Sequence, residues 1–558
     1  MNKKLRKRRI FFISTIIILS LSLISFKVFD DGDDFEIAKS FDIFHNAVRE
    51  IRLFYVDDTD ISKLIDESTE EFLKKLDPYT VYYPESKMED FTFMTTGAYG
   101  GIGAMISERE GTLLITELYK GSIADKSSLK VGDEIVEINN FKISKENISE
   151  VRELLKGEPG SEVILKIKRY GESDILKKTI KREKIELGNI SYSGIVEENL
   201  AFIKLDQFKQ NAATDFKKAL DKLNDSVAIE GLIIDLRSNP GGLLHEAVSI
   251  VSLFVKKGSD IVSTKGRVKD WNQIYKAKKA PAYPDLPIVV LMNSGSASAS
   301  EIVAGAIQDL DRGLIVGQRS FGKGLVQKTR KMNYNTAIKF TIAKYYIPSG
   351  RCIQAIDYSN RNPDGSVGHI SDSLISEFKT VNGRKVYDGG GISPDIKVEF
   401  DSISEFTRIL IKEYIIFDFA TKFFYENKFI DSPSDFLVTE NIYNQFIKFA
   451  ENKDIKYKTK SKNIALKLLE SAKEEKISND VISKITDIQS ELEIDISEAL
   501  LLYKEQIIPF IATSIVNRYY FNEGMIQTFM SYDNALKEAV SVLKDKSKYN
   551  LHLSSDND

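Results

Sequence analysis

The chain has 558 residues, 42% of them hydrophobic and 29% charged, with a formal net charge of −4. That length exceeds what one hydrophobic core fills and implies two to four domains, while the near-neutral charge speaks against a nucleic-acid-binding surface. A single cysteine, Cys352, excludes an internal disulfide and a cysteine-rich metal site. The four histidines (His45, His245, His369, His552) show no His-x-x-x-His spacing, which speaks against zinc.

The chain opens on "MNKKLRKRR", followed by the uncharged apolar run "IFFISTIIILSLSLISF" at residues 10–26. Basic flanks stay cytoplasmic, so residues 1–29 are expected to form a basic tail and a membrane anchor. A cleaved signal peptide is the alternative. It is disfavoured because no Ala-x-Ala site follows and Ser20-Leu21-Ser22 is a poor substitute. No cysteine follows the run, so a lipoprotein signal is excluded. Either way the remainder is expected outside the cytoplasmic membrane, in the periplasm or beyond the cell.

Residues 30–35, "DDGDDF", read as an acidic tether. Residues 36–92 read as helical: in "IAKSFDIFHNAVREIRLFYV" apolar positions recur at three- and four-residue steps, until "LDPYTVYYP" stops the pattern at Pro78 and Pro84. Residues 93–185 change to glycines and short β-rich runs, "TLLITEL", "DEIVEINN" and "SEVILKIKRY", around the helical "ENISEVRELLKG". Residues 186–400 alternate near-continuous apolar strands with helices, which predicts a layered α/β domain around a largely parallel sheet. Within it, the polar stretch 355–385 reads as a mobile surface insertion, and residues 401–558 read almost entirely helical.

Three motifs carry chemistry. In "GGIGA", Gly101, Ile102, Gly103 and Ala104 form a turn whose backbone N–H groups can hold an anion. With "GSIADKSSLKVGDEIVEINN" downstream it resembles a PDZ domain, which adds a peptide's C-terminal strand to a sheet edge and holds its carboxylate in the glycine loop. In "LIIDLRSNPGGLLHEAV" a strand ends in a Pro-Gly-Gly turn before a helix, an arrangement that exposes N–H groups suited to an oxyanion; a plain strand-to-helix turn is the alternative. In "PIVVLMNSGSASASEIVAGAIQDL" Ser296, Ser298 and Ser300 alternate with small residues where a strand gives way to a helix; taken alone, they read as helix caps. Lys323 follows between Gly322 and Gly324. If residues 323–327 are extended, Lys323, Leu325 and Gln327 share a face, and Gln327 can hold the lysine amine. Lysine is a poor base at its ordinary pKa of about 10.4, but burial disfavours the charged form, and a desolvated amine can deprotonate a serine.

These motifs together, with "NPGGLL", "SASASEIVAGAIQD", "FGKGLVQ", "YYIPSGRCIQ" and "GGISPDI" in order, resemble the carboxyl-terminal processing, or tail-specific, serine proteases over about residues 36–400. The resemblance implies a crotonase-like layered α/β protease core with an inserted β-rich PDZ domain at 93–185, a helical N-terminal segment and a helical C-terminal extension. It implies Ser298 as nucleophile, Lys323 as base and Gln327 as the residue orienting the lysine. It also implies the N–H groups of Ala299 and Gly242 as oxyanion donors, Gly241 being less favoured. No metal and no cofactor are implied. The expected partners are protein or peptide substrates with free C-termini; an adaptor protein and self-association are further expectations. His245, after the Gly-Gly turn, is a disfavoured rival base because it falls on a helix with no motif placing it against Ser298. A non-catalytic PDZ scaffold and an acyl-CoA enzyme of the same core fold are the competing functions. The intact Ser298, Lys323 and Gln327 argue against the first, and the PDZ run and export signal against the second.

Overall fold

The structure, a computed structural model, describes residues 31–362, 366–399, 403–492 and 494–554. The expected anchor at residues 10–26 lies outside them. The chain divides into two compact units, the first ending at Pro84 and the second running from Glu85.

The first unit contains helices α1 (Asp31–Phe54) and α2 (Ile61–Lys74), the latter capped by Asp60, whose carboxylate accepts the Lys63 N–H at 3.1 Å. The acidic stretch expected as a tether is therefore helical from Asp31: acidic residues suit a helix N-terminus, and the single glycine, Gly32, falls in the first turn.

In the second unit, an antiparallel sheet runs in the order β2 (Ala104–Arg109), β3 (Thr112–Leu118), β4 (Glu134–Ile138), β5 (Glu162–Lys168), β6 (Leu176–Lys181), with β1 (Ala98–Gly101) pairing separately with β7 (Glu183–Glu186). Its core is closed by Ile106, Leu113, Ile115, Ile135, Val163, Leu165 and Ile180. It is a small β-rich domain whose strands run from Ala98 to Glu186.

The mostly parallel sheet has the order β8 (Ile190–Glu197), β9 (Leu200–Leu205), β10 (Gly231–Asp235), β13 (Ile288–Met292), β14 (Leu314–Gly317), β17 (Ile396–Lys397), while β11 (Asp260–Gly266) and β12 (Gln273–Lys276) pair elsewhere. All neighbours in it are parallel except β8 and β9. A second sheet joins β12 to β11, β11 to β16 (Thr336–Tyr346) and β16 to β15 (Leu325–Met332). The stretch 355–385, expected as a mobile insertion, carries strands of two hairpins, Ile356–Arg361 with Val367–His369 and Glu377–Lys379 with Lys385–Tyr387.

The central strands are buried on both faces, and successive residues go to opposite sides. Ile203, Leu232, Ile234, Val290 and Met292 pack beneath helices α3 (Ala212–Ser226), α4 (Leu244–Val251) and α5 (Ala299–Asp309). Phe202, Ile233, Val289, Leu291 and Val316 face the other way, against Ala535, Leu536, Ala539, Val542 and Leu543. Those five belong to α8 (Asn534–Lys544), which follows α6 (Ile415–Glu426) and α7 (Lys504–Met530) in the helical extension. The expected core boundary at residue 400 thus does not close the core: its second layer arrives 134 residues or more later, between 534 and 553.

The rest of the extension has its own core around Phe406, Phe419, Phe446, Ile511 and Ile515. It also grips the small β-domain. Arg109 makes a two-pronged pair with Asp418 at 2.6 and 2.8 Å, and Phe417 and Phe521 pack against that domain's core. Arg518, half-buried and with its guanidinium pKa lowered by desolvation to about 9, binds the Phe417 carbonyl and the Thr421 hydroxyl at 2.7 Å each. Among the described residues no single helix is long and apolar enough to cross a membrane. One pair bent by 86°, Ile496–Leu502 with Lys504–Met530, meets the length and composition of a broken span.

Candidate active site

The three alternating serines do different work. Ser296 is fully buried and donates its hydroxyl to the Leu236 carbonyl at 2.8 Å; Ser300, also fully buried, donates to the Asn239 carbonyl at 2.9 Å. Both lock the serine loop onto the segment that follows β10. Ser298 is half-buried and occupies the N-cap of α5, with φ 57° and ψ −112°. Positive φ on a non-glycine residue is strained and persists only where the surroundings enforce it. The next N–H, that of Ala299, begins the helix, where the orphan donors and the positive end of the helix dipole favour negative charge.

Glu301 enforces the strain. Its carboxylate is fully buried and receives four donors. The Ser298 N–H (2.8 Å) and Lys323 N–H (2.9 Å) meet Oε2, and the Ser320 hydroxyl (2.5 Å) and Gly322 N–H (2.7 Å) meet Oε1. Burial pushes the Glu301 carboxyl up, and these hydrogen bonds pull it back part of the way. One side chain therefore ties the serine to the lysine loop. The sequence reading missed it, although Ser-x-x-Glu ahead of an apolar helix is the capping-box signature, and Ser298 and Glu301 form that box. A carboxylate on the buried first turn of an apolar helix needed exactly such donors.

The lysine loop is held from two more sides. Gln354, from "SGRCIQ", accepts the Gly324 N–H at 2.8 Å, and Ser320 accepts the Ile392 N–H, from "GGISPDI", at 2.7 Å. Lys323 is half-buried. The extended run expected over 323–327 is different in detail. β15 begins only at Leu325, and a register shift between Val326 and Gln327 breaks the simple alternation. Gln327 donates its Nε2 to Thr341 Oγ1 at 3.2 Å across the hairpin.

The Pro-Gly-Gly turn lies against the serine. A Cβ on Gly241 would sit 2.8 Å from Ser298 Cβ, 2.8 Å from the Ala299 nitrogen and 2.7 Å from the Ala297 oxygen, and its φ of +99° is a glycine conformation. Gly241 donates its N–H to Asn239 Oδ1 at 2.9 Å. Gly242 pairs with Phe208 in a parallel bridge in which the Gly241 carbonyl and the Leu243 N–H face Phe208. Alternation along the backbone turns the Gly242 N–H to the opposite side. Of the two glycines, Gly242 is the one with its donor turned away from both partners. Asn239, another residue the sequence reading passed over, is fully buried; its carbonyl holds Ser300 and the Ala297 N–H (3.0 Å). Tyr345 adds its hydroxyl to the Ser298 carbonyl at 3.1 Å.

His245 is on α4 with its side chain 67% exposed, and its Nε2 lies 3.5 Å from Glu246.

In the β-domain, Gly101 ends β1 opposite Glu183, Ile102 is in the core, and Ala104 opens β2. The Ile102 carbonyl accepts the Ala124 N–H at 2.9 Å, and the Gly103 carbonyl accepts the Ser122 hydroxyl at 2.9 Å. Gly103 has a φ of +79°, and a Cβ there would meet Ser122 Cβ at 2.4 Å and Ile185 Cδ1 at 2.9 Å, so packing inside the domain demands glycine.

A family model described as Peptidase family S41 matches residues 199–367, a PDZ domain model matches 114–169, and one described as "Probable PDZ-protease, C-terminal helical domain" matches 406–543. A carboxy-terminal-processing protease of Bartonella bacilliformis is 33% identical over 353 residues, covering 63% of this chain and 81% of that protein. The carboxy-terminal processing protease CtpB of Bacillus subtilis is 34% identical over 326 residues, covering 57% of this chain and 67% of that one.

Proposed function

Because this chain belongs to the carboxy-terminal processing serine proteases of peptidase family S41, we propose that it cleaves peptide bonds through a Ser298/Lys323 pair and an acyl-enzyme. The neutral Lys323 amine takes the Ser298 proton as Oγ attacks the scissile carbonyl carbon. The oxyanion rests on the N–H groups of Ala299 and Gly242. Collapse breaks the C–N bond, and the Lys323 ammonium returns its proton to the leaving amine. Lys323 then takes a proton from water, whose oxygen attacks the acyl carbon; as the Oγ–C bond breaks, the Lys323 ammonium returns the proton to Ser298 Oγ and the new C-terminus is released. One residue makes every proton transfer, so no histidine is required. Gln327 orients the lysine.

The observation that supports this reading is the contrast between the serines: Ser296 and Ser300 are committed to buried carbonyls, whereas Ser298 is held in strained backbone by the carboxylate that also fixes the Lys323 loop. The PDZ domain captures a substrate's free C-terminus. The basic and apolar residues ahead of position 30 support tethering to the cytoplasmic membrane, with the catalytic part in the periplasm or outside the cell. The test is incubation of the full chain with an unfolded protein, mapping new termini by mass spectrometry and locating the residue labelled by a fluorophosphonate. Labelling at Ser298 with new termini is expected; new termini without Ser298 labelling would defeat the mechanism. Paired peptides differing only in a free or amidated C-terminus test capture, the free acid being cleaved faster.

A further inference from the structure

Arg237 stands between β10 and the Pro-Gly-Gly turn and is held by two buried carboxylates. Asp235 accepts its Nε at 2.9 Å and one terminal nitrogen at 2.8 Å. The other carboxylate comes from the far end of the chain. Asp533 accepts Arg237 Nη1 at 2.9 Å, its second oxygen lies 2.5 Å from Nη2, and it is 2% exposed. Asp533 is also the N-cap of α8, accepting the N–H groups of Ala535 (3.0 Å) and Leu536 (3.1 Å).

What Arg237 fixes is the start of the turn. Ser238 follows at φ +59°, its N–H on Asn293 Oδ1 at 2.8 Å, and Asn239 then binds the serine loop. The segment from Arg237 to Gly242 is thus pinned by Arg237 at one end and by the Phe208 bridge at the other. We propose that Asp533 is a positioning residue for peptide hydrolysis: by gripping Arg237 it sets where the turn presents Gly242 to Ser298. The helical extension is then part of the catalytic apparatus as well as a cover for the sheet. This rests on the Ser298/Lys323 reading above.

The test separates the two jobs of Asp533. Asn caps helices as well as Asp does, so Asp533→Asn keeps the cap and removes the charge facing Arg237. We expect kcat to fall about 10-fold or more, since small misplacements of catalytic groups cost up to about 10²-fold. KM stays within about twofold, because Asp533 acts through the oxyanion turn and not on the bound substrate. Amide exchange over residues 237–242 accelerates. Leu543→Ala, on the same helix and facing the sheet, removes packing alone; below its melting temperature it keeps its kcat. Arg237→Ala combined with Asp533→Asn is no slower than Arg237→Ala alone. Unchanged kcat and exchange in Asp533→Asn, an equal kcat loss in Leu543→Ala, or additive losses in the pair would overturn the proposal. A wild-type chain that cleaves nothing defeats the peptidase reading instead, and the proposal with it.

Discussion

The turn at Gly241-Gly242 and the turn at Gly101–Ala104 both set glycines beside a strand end, and both suggested a backbone cradle for a negative charge. They differ in what crowds the glycine. At Gly241 the space a side chain would need is filled by the backbone of Ala297 and Ala299 and by the Cβ of Ser298 itself. At Gly103 it is filled by Ser122 and Ile185, part of the domain's own packing. A required glycine therefore reports its nearest neighbour, and only where that neighbour bears the chemistry does the glycine speak about function.

The comparison breaks first at the serine. Ser298→Ala should abolish peptide turnover, a loss of at least about 10³-fold, with the fold retained and a stability cost no larger than that of a lost helix cap, about 0.5–2 kcal/mol. Lys323→Arg should be as inactive as Lys323→Ala, since a guanidinium does not give up its proton. Turnover by Ser298→Ala at the wild-type rate in a purified, peptide-fed assay would remove the chemistry from this turn altogether.

The next largest effect sets the turns side by side. Gly241→Ala should lower kcat by about 10²–10³, the cost of disturbing an oxyanion donor. Gly103→Ala should leave kcat within a few-fold and cost the PDZ domain about 1–3 kcal/mol of strain. Steady-state kinetics with fluorophosphonate labelling rates for both variants reads the difference; equal kcat losses would mean the two turns are not distinct in role.

Glu301→Gln is expected to cost about 10²-fold in turnover by loosening both catalytic loops. An amide offers an NH2 where two donors need an acceptor, and each buried donor left unpaired costs about 1–3 kcal/mol. The pH dependence has a definite sign. With its carboxyl raised in the folded state, Glu301 contributes most below its unfolded value and loses that contribution as pH rises through the raised one. Wild-type urea midpoints should therefore fall toward Glu301→Gln as pH increases over that interval; a widening gap would contradict the burial effect.

The sheet shows which parts of this architecture a sequence can disclose. The alternation of strands and helices over 186–400, and the serine and lysine motifs, were readable because their signals are local. The strand "PIVVLM" is apolar at every position and "LIIDL" at every position but Asp235, which already required cover on both faces. The three helices beneath it, α3, α4 and α5, all pack on one face, so the second cover had to come from elsewhere. Nothing local pointed to Asn534–Lys544, and the Arg237–Asp533 pair spans 296 residues, a separation at which no periodicity or motif survives. Glu301 was readable from its capping-box spacing and was passed over beside the more visible serines.

Smaller effects come from the serines that flank the nucleophile. Ser296→Ala removes one of two donors from the Leu236 carbonyl, which keeps the Asn239 N–H, and takes the acceptor from the Asn293 N–H; Ser300→Ala removes one of two donors from the Asn239 carbonyl, which keeps the Ala297 N–H. Each should lower stability by about 0.5–1.5 kcal/mol, read as a drop in melting temperature, while kcat of the folded fraction stays within about tenfold. A variant of either serine that is stable yet inactive would shift the nucleophile away from Ser298.

The smallest effect belongs to His245, which follows the Gly-Gly turn by three residues and has no counterpart after the PDZ turn. Its position invites a Ser/His reading, in which imidazole would be the base. The geometry gives it other company: its side chain is 67% exposed and 3.5 Å from Glu246, whose carboxylate is occupied by the N–H groups of Asn211 (3.0 Å) and Ala213 (2.8 Å) at the start of α3. A general base must come within hydrogen-bond reach of the proton it removes. The carboxylate that fixes Ser298 is Glu301, and the other loop it fixes carries Lys323. His245→Ala should therefore keep turnover within about twofold of wild type, since it removes no buried bond and no group aimed at the serine. A near-complete loss of kcat in that variant, with the fold intact by circular dichroism, would move the proton transfer from the lysine loop to the helix after the turn.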